Sequence, residues 1–207
     1  MRWWPRRSLN DGRRASPGWW LRQTGAKNLD EPYYTIGHST RSIEEFVELL
    51  QGSRVQMVID VRTVPRSRTN PQYNRDTLGA TLEPHQVGYE HIPELGGLRG
   101  KQRDGEASRN GFWKNTSFRN YADYAETDAF LHGMDRLRTL GGDRRVALMC
   151  AEAVWWRCHR RIIADHLLSA GQSVFHILGK NHVDPAKLNP GAKVAPDGSL
   201  FYPKGDD

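Results

Sequence analysis

Twelve residues, Cys150-Ala-Glu152-Ala-Val-Trp-Trp-Arg157-Cys158-His159-Arg160-Arg161, bring together two thiols, a carboxylate, an imidazole and three guanidiniums. They join an apolar run, Val146 to Cys150, to an amphipathic segment from about Arg157 to Ala170. Amides at a helix start favour an anion or a thiolate, and nearby arginines add to that effect. Cys150 or Cys158 could therefore be a reactive thiol with His159 exchanging its proton, or the segment could cradle an anion. The alternative is a buried small cysteine with structural arginines. Six residues separate Cys150 from Arg157, one more than a cysteine-phosphatase loop has. A metal is not expected, because adjacent Cys158 and His159 in a helix point in different directions.

Three further clusters could act with it. Asp60-Val-Arg62-Thr-Val-Pro-Arg66-Ser67-Arg68 follows an apolar run that begins at Met57. A carboxylate ending such a run is costly unless it is paired or used. Asp60 could orient a water or stabilise a cationic transition state, or it could pair with Arg62. Arg62, Arg66 and Ser67, with Tyr73 and Asn74 beyond them, suit phosphate clamping. Gly37-His38-Ser39 places a histidine on a tight turn, for acid–base work or for a local hydrogen bond. Leu95 to Arg119 mixes six basic residues with two acidic ones and interleaves Trp113 and Phe118, which suits a single-stranded or flipped base.

The elements that must position these groups alternate. Apolar runs at Tyr33–Ile36, Met57–Val61, Tyr89–Ile92, Val146–Cys150 and Ser173–Leu178 read as strands. Helical spacing covers about 43–51, 74–82, 117–125, 128–140 and 157–170. The pattern predicts an α/β three-layer sandwich, Rossmann-like, with a mostly parallel sheet of about five strands. Ligands of such sheets bind at the carboxyl ends of strands, and that is where His38, Asp60, His91, Glu94 and Cys150 fall.

Composition sets limits. The 207 residues carry 30 Lys+Arg and 24 Asp+Glu, a net charge of +6. Residues 1–30 hold seven basic and two acidic residues, so +5 of the excess lies there and residues 31–207 are almost neutral. Residues 1–30 read as a basic Trp/Arg-rich tail and 31–207 as one catalytic domain. No apolar run approaches the roughly 20 residues of a membrane span, and no secretory h-region is present. Two cysteines cannot build a disulfide scaffold. A reducing cytoplasm is the expected compartment.

Five ordered motifs carry a resemblance. They are Thr35-Ile-Gly-His38-Ser; Ile59-Asp60-Val-Arg62 with Pro65 and Ser67; Tyr89-x-His91-x-x-Glu94-Leu-Gly96-Gly97; Trp113-Lys-Asn115-x-Ser-Phe118-x-x-Tyr121-Ala-Asp-Tyr124; and Leu148-Met-Cys150-Ala-Glu152 with Cys158-His159-Arg160. Together they resemble the family called domain of unknown function 488, over about residues 33–203. The resemblance implies a compact cytoplasmic α/β protein with a cysteine-containing site. It also implies DNA glycosylase activity on a modified pyrimidine such as 5-hydroxymethyluracil, with DNA as partner and without metal or other cofactor. Asp60 or Glu152 would then be the catalytic carboxylate, and Cys150, Cys158 and His159 would shape the pocket. His38 or Asn115 would read the base. Arg62, Arg66, Arg157 and Arg160 would hold phosphates, and Trp113, Phe118, Tyr121 or Tyr73 would stack. Two other functions fit the residues: a thiol-dependent enzyme on a small anionic substrate, and a non-catalytic nucleic-acid-binding module.

Overall fold

A computed structural model describes residues 31–101 and 107–205. The basic tail at residues 1–30, and Arg103, Asp104 and Glu106 of the basic loop, lie outside the described residues. Five parallel strands form the sheet: β1 (Tyr33–Gly37), β2 (Met57–Asp60), β3 (Gly88–His91), β4 (Val146–Cys150) and β5 (Val174–Gly179). A sixth, β6 (His182–Pro185), returns antiparallel along β5, giving the order β3-β2-β4-β1-β5-β6. The chain turns at Asn181, whose φ is +58°, to make this pairing, although no apolar run marks the segment. A second hairpin, β7 (Lys193–Val194) with β8 (Leu200–Phe201), lies further on. Among the described residues, no helix is long and apolar enough to cross a membrane.

Helices cover both faces, so the architecture has three layers. On one face lie α1 (Ile43–Gly52) and α2 (Arg75–Leu82). Ser42 caps α1 by accepting from the Glu45 amide at 3.2 Å, which satisfies a donor that the first turn leaves free. Phe46, Val47, Leu50, Leu78 and Leu82 pack there with Val58, Ala147 and Met149 of the sheet. The other face carries α3 (Thr116–Tyr124), α4 (Asp128–Gly141) and α5 (Arg160–Ser169). Tyr121, Phe130, Met134, Leu137, Ile162 and Leu167 pack there with Ile59, Val146, Leu148 and Cys150.

The pleat decides which polar residue reaches which face. On β4, Ala147 and Met149 face α1 and α2, while Leu148 and Cys150 face α3 to α5. On β2, Val58 faces α1 and α2 and Ile59 the opposite layer. Asp60, one residue on and in register with Met149, falls on the α1–α2 side. Cys150 and Asp60 end adjacent strands but belong to opposite faces.

Candidate active site

On the α1–α2 side, a buried polar network ends β2. Asp60 is fully buried and accepts from the Arg62 amide at 3.0 Å, Arg62 Nε at 2.9 Å, Arg62 Nη2 at 2.6 Å and the Tyr89 hydroxyl at 2.7 Å. Arg62 Nη2 also donates to the Tyr73 carbonyl at 2.6 Å. Burial alone would lower the Arg62 pKa, but its bonds to Asp60 outweigh that and raise it. His38 donates from Nδ1 to the Ser39 carbonyl, so Nε2 is free to accept from Arg62 Nη1 at 3.2 Å. Its ring stacks on Tyr73, with centroids 4.1 Å apart. Burial, opposed by the Ser39 bond and reinforced by Arg62, holds the imidazole pKa down at about 4. His91 Nε2 donates to the Arg62 carbonyl. Asp60 thus positions Arg62 and has no free edge for substrate.

The cavity lies on the other face. It encloses about 470 Å³ beside the carboxyl ends of β2 and β4. Cys150, Cys158 and His159 line it together with Asn115, Phe118 and Tyr121, and so do the exposed Glu152 and Arg157. Arg62 and Gly97 also line it. Asn115 caps α3 by accepting from the Ser117 amide at 2.9 Å, and the Tyr121 hydroxyl donates to the Leu95 carbonyl.

The expected helix start at Arg157 is displaced. Trp155–Arg157 form a 3-10 turn, and Cys158 is extended, at φ −125° and ψ 146°, before α5 begins at Arg160. Cys158 and His159 therefore do not diverge as successive residues of a helix would. Cys158 Sγ and His159 Nδ1 lie 3.6 Å apart, and both lie within 4.8 Å of Cys150 Sγ. His159 Nε2 donates to the Val61 carbonyl at 2.9 Å, which turns Nδ1 toward the sulfurs. Arg160, 1% exposed, donates Nε to Cys158 Sγ at 3.2 Å and Nη2 to the Glu152 carbonyl. It holds the sulfur, not a substrate phosphate. Burial pushes the Cys158 thiol up, but the Cys150 thiol, Arg160 and His159 outweigh it and bring the pKa well below the ordinary value. Cys150 is held up, first by donating to Cys158 and then by burial. Both cysteines are free thiols.

Two glycines permit this packing. A Cβ on Gly97 would lie 2.3 Å from His159 Nδ1, and one on Gly37 would lie 2.0 Å from the Glu152 carbonyl. Other expected contributors sit elsewhere. Arg66 is exposed on its loop, and Ser67 and Asn74 bond each other, Ser67 N to Asn74 Oδ1 at 2.7 Å. Tyr73 is buried behind His38. Glu94 is exposed outside the cavity, and Gly96 packs on Thr63. Trp113 lies beneath Phe118, with ring centroids 5.1 Å apart, and supports the wall from behind. Thr63 and Leu98 line the cavity without a sequence signal. Leu98 N donates to Thr63 Oγ1 at 2.8 Å, tying the basic loop to the end of β2.

Residues 42–167 match the family model described as Domain of unknown function DUF488. The chain belongs to this family. The DUF488 match runs from the cap of α1 into α5 and takes in Asp60, Arg62 and the whole cavity lining. His38, at the end of β1, precedes it. No curated protein and no solved structure matches the chain.

Proposed function

We propose that this DUF488 protein is a DNA glycosylase that removes a modified pyrimidine, such as 5-hydroxymethyluracil, with Glu152 as the working carboxylate. The observation that carries the reading is the cavity. Its size, about 470 Å³, falls within the range of small-molecule pockets. Half-buried Phe118 offers aromatic surface, and the Asn115 side chain offers a polar edge. Extruding a base costs a few kcal/mol, and stacking on an aromatic returns about 1–3 kcal/mol. Exposed Arg157, on the cavity lining, suits a phosphate.

In the proposed reaction the glycosidic C–N bond breaks and its electron pair leaves with the base. The sugar gains oxocarbenium character, which the Glu152 carboxylate stabilises. Water then adds to the anomeric carbon as Glu152 takes its proton. Asp60 is unsuited to this role, because all its contacts are internal. Duplexes carrying single modified pyrimidines, treated with alkali after incubation, will break at the modified position. Glu152→Gln will slow base release at least about 100-fold, the scale of a general acid–base contribution. No strand break with any modified pyrimidine at enzyme excess removes the proposal.

A second reading has its own observation, the contacts of Arg160 and His159 with Cys158 Sγ at 3.2 and 3.6 Å. These suit a nucleophilic thiolate acting on a small anionic substrate. In metal-free protein at neutral pH, iodoacetamide will modify Cys158 at least about 10-fold faster than Cys150, as peptide mass spectrometry will show. Equal, slow modification of both sulfurs would count against it.

A further inference from the structure

We propose that Cys150, Cys158 and His159 form a binding site for one thiophilic divalent metal ion of the zinc class, with its fourth coordination position open to the cavity. The proposal does not rest on base release by Glu152.

Geometry is the first support. With a metal–sulfur bond of about 2.3 Å and a metal–nitrogen bond of about 2.0–2.1 Å, the S-to-N edge of a tetrahedron is about 3.6 Å. Cys158 Sγ and His159 Nδ1 are 3.6 Å apart. The third atom, Cys150 Sγ, completes a set in which every pair lies within 4.8 Å. One small contraction toward a central ion would therefore suffice.

The surroundings are those of a metal ligand set. A ligating histidine normally donates its second ring nitrogen to a carbonyl or carboxylate, which fixes the tautomer and aims the other lone pair. His159 Nε2 does this to the Val61 carbonyl at 2.9 Å. Arg160 Nε–H to Cys158 Sγ supplies a hydrogen bond of the kind that orients a coordinating thiolate. Gly97 packs on the face of the His159 ring, where a Cβ would stand 2.3 Å from Nδ1, and so helps to fix the imidazole without occupying its in-plane lone pair. β4 and the residue before the His159 cap present the two sulfurs, so the ligands come from rigid ends of elements and not from a mobile loop.

Charge completes the case. Two thiolates and a neutral imidazole cancel a divalent ion, which leaves the buried Arg160 guanidinium uncompensated. An anionic fourth ligand, such as hydroxide or a substrate oxyanion, restores neutrality from the cavity side. Three protein ligands with an open position is the arrangement of catalytic zinc sites, not of structural ones.

The test uses full-length protein freed of metal by chelation and titrated with Co²⁺ and Zn²⁺. The expected result is one Co²⁺ per chain, with a near-ultraviolet thiolate-to-cobalt band and strong visible bands of four-coordinate geometry. Cys150→Ser, Cys158→Ser and His159→Ala will each weaken Co²⁺ binding on the order of 100-fold or more, whereas the exposed, distant His182→Ala will not. Should a variant fail to fold, wild type still decides: Zn²⁺ will protect both thiols from iodoacetamide, and chelator will expose them. Co²⁺ binding without a thiolate band, binding untouched by all three substitutions, or two freely alkylated thiols in excess Zn²⁺ would each overturn the site. A bound metal would also exclude the free-nucleophile role of Cys158 while leaving base release by Glu152 open.

Discussion

Asp60→Ala will destabilise the protein by about 3–5 kcal/mol, the cost of removing one partner of a buried ion pair. Asp60 is wholly buried and satisfies three donors of Arg62 and the Tyr89 hydroxyl. Its loss leaves a guanidinium that is 6% exposed without a counter-charge. Glu152→Gln, at an exposed position, will change stability by no more than about 0.5 kcal/mol. Removing both charges in Asp60→Ala/Arg62→Leu will recover part of the loss, because the unpaired ion is then gone. Urea unfolding at pH 7 measures all three variants. A loss under about 1 kcal/mol in Asp60→Ala, accompanied by loss of base release, would return Asp60 to the chemistry.

That prediction rests on a distinction only partly legible in the sequence. The apolar run before Asp60 announces a buried strand, and the cost of ending it with a carboxylate announces a partner. Which face Asp60 takes depends on the parity of the pleat relative to the helices, which pairing with β4 fixes. The same holds at Cys150, whose place at the end of β4 is read directly but whose cavity exists because Leu148 and Cys150 face α3 to α5. Cys158 was harder. Helical periodicity runs from Arg157 without a break in residue type, and the 3-10 turn at Trp155–Arg157 comes from tertiary packing. Trp155 stacks on His176 with centroids 4.3 Å apart, a contact 21 positions along the chain that no local pattern encodes. Displacing the helix start by three residues turns Cys158 and His159 from diverging neighbours into a converging pair. β6 is hidden for another reason: its four residues are exposed and end in Pro185, so they lack an apolar signature.

Acid will begin to destabilise the protein above the range in which carboxylates titrate, and three histidines are the main cause. Burial holds His38, His166 and His176 down at about 4, against 6.5 in the unfolded chain. Each geometry explains why only the neutral ring fits. His38 Nε2 accepts from Arg62, so a proton there would face a guanidinium. His176 bonds Thr35 Oγ1 through Nδ1, lies flat on Trp155, and feels the Arg160 charge. His166 Nε2 is buried with no hydrogen-bond partner, against Phe130. A base whose folded pKa is lowered contributes stability above its unfolded pKa and loses it as pH falls through 6.5 toward 4. At about 1.4 kcal/mol per pH unit, each histidine forfeits on the order of 3 kcal/mol by pH 4. Asp165 works in the opposite sense. Burial raises its carboxyl to about 6, against the Asn189 and Tyr202 bonds that lower it. Its contribution is therefore present in acid and lost as pH rises through 6, which offsets about one histidine. The remainder, on the order of 6 kcal/mol, is comparable with the whole stability of a domain. Urea midpoints should therefore fall steeply between pH 6.5 and 4.5. His166→Phe keeps the ring against Phe130, removes the unpartnered nitrogen, and should recover about 3 kcal/mol of the loss at pH 4 with little change at pH 7. A flat profile between pH 7 and 4.5, or an unchanged slope in His166→Phe, would show that these rings admit a proton without leaving their places.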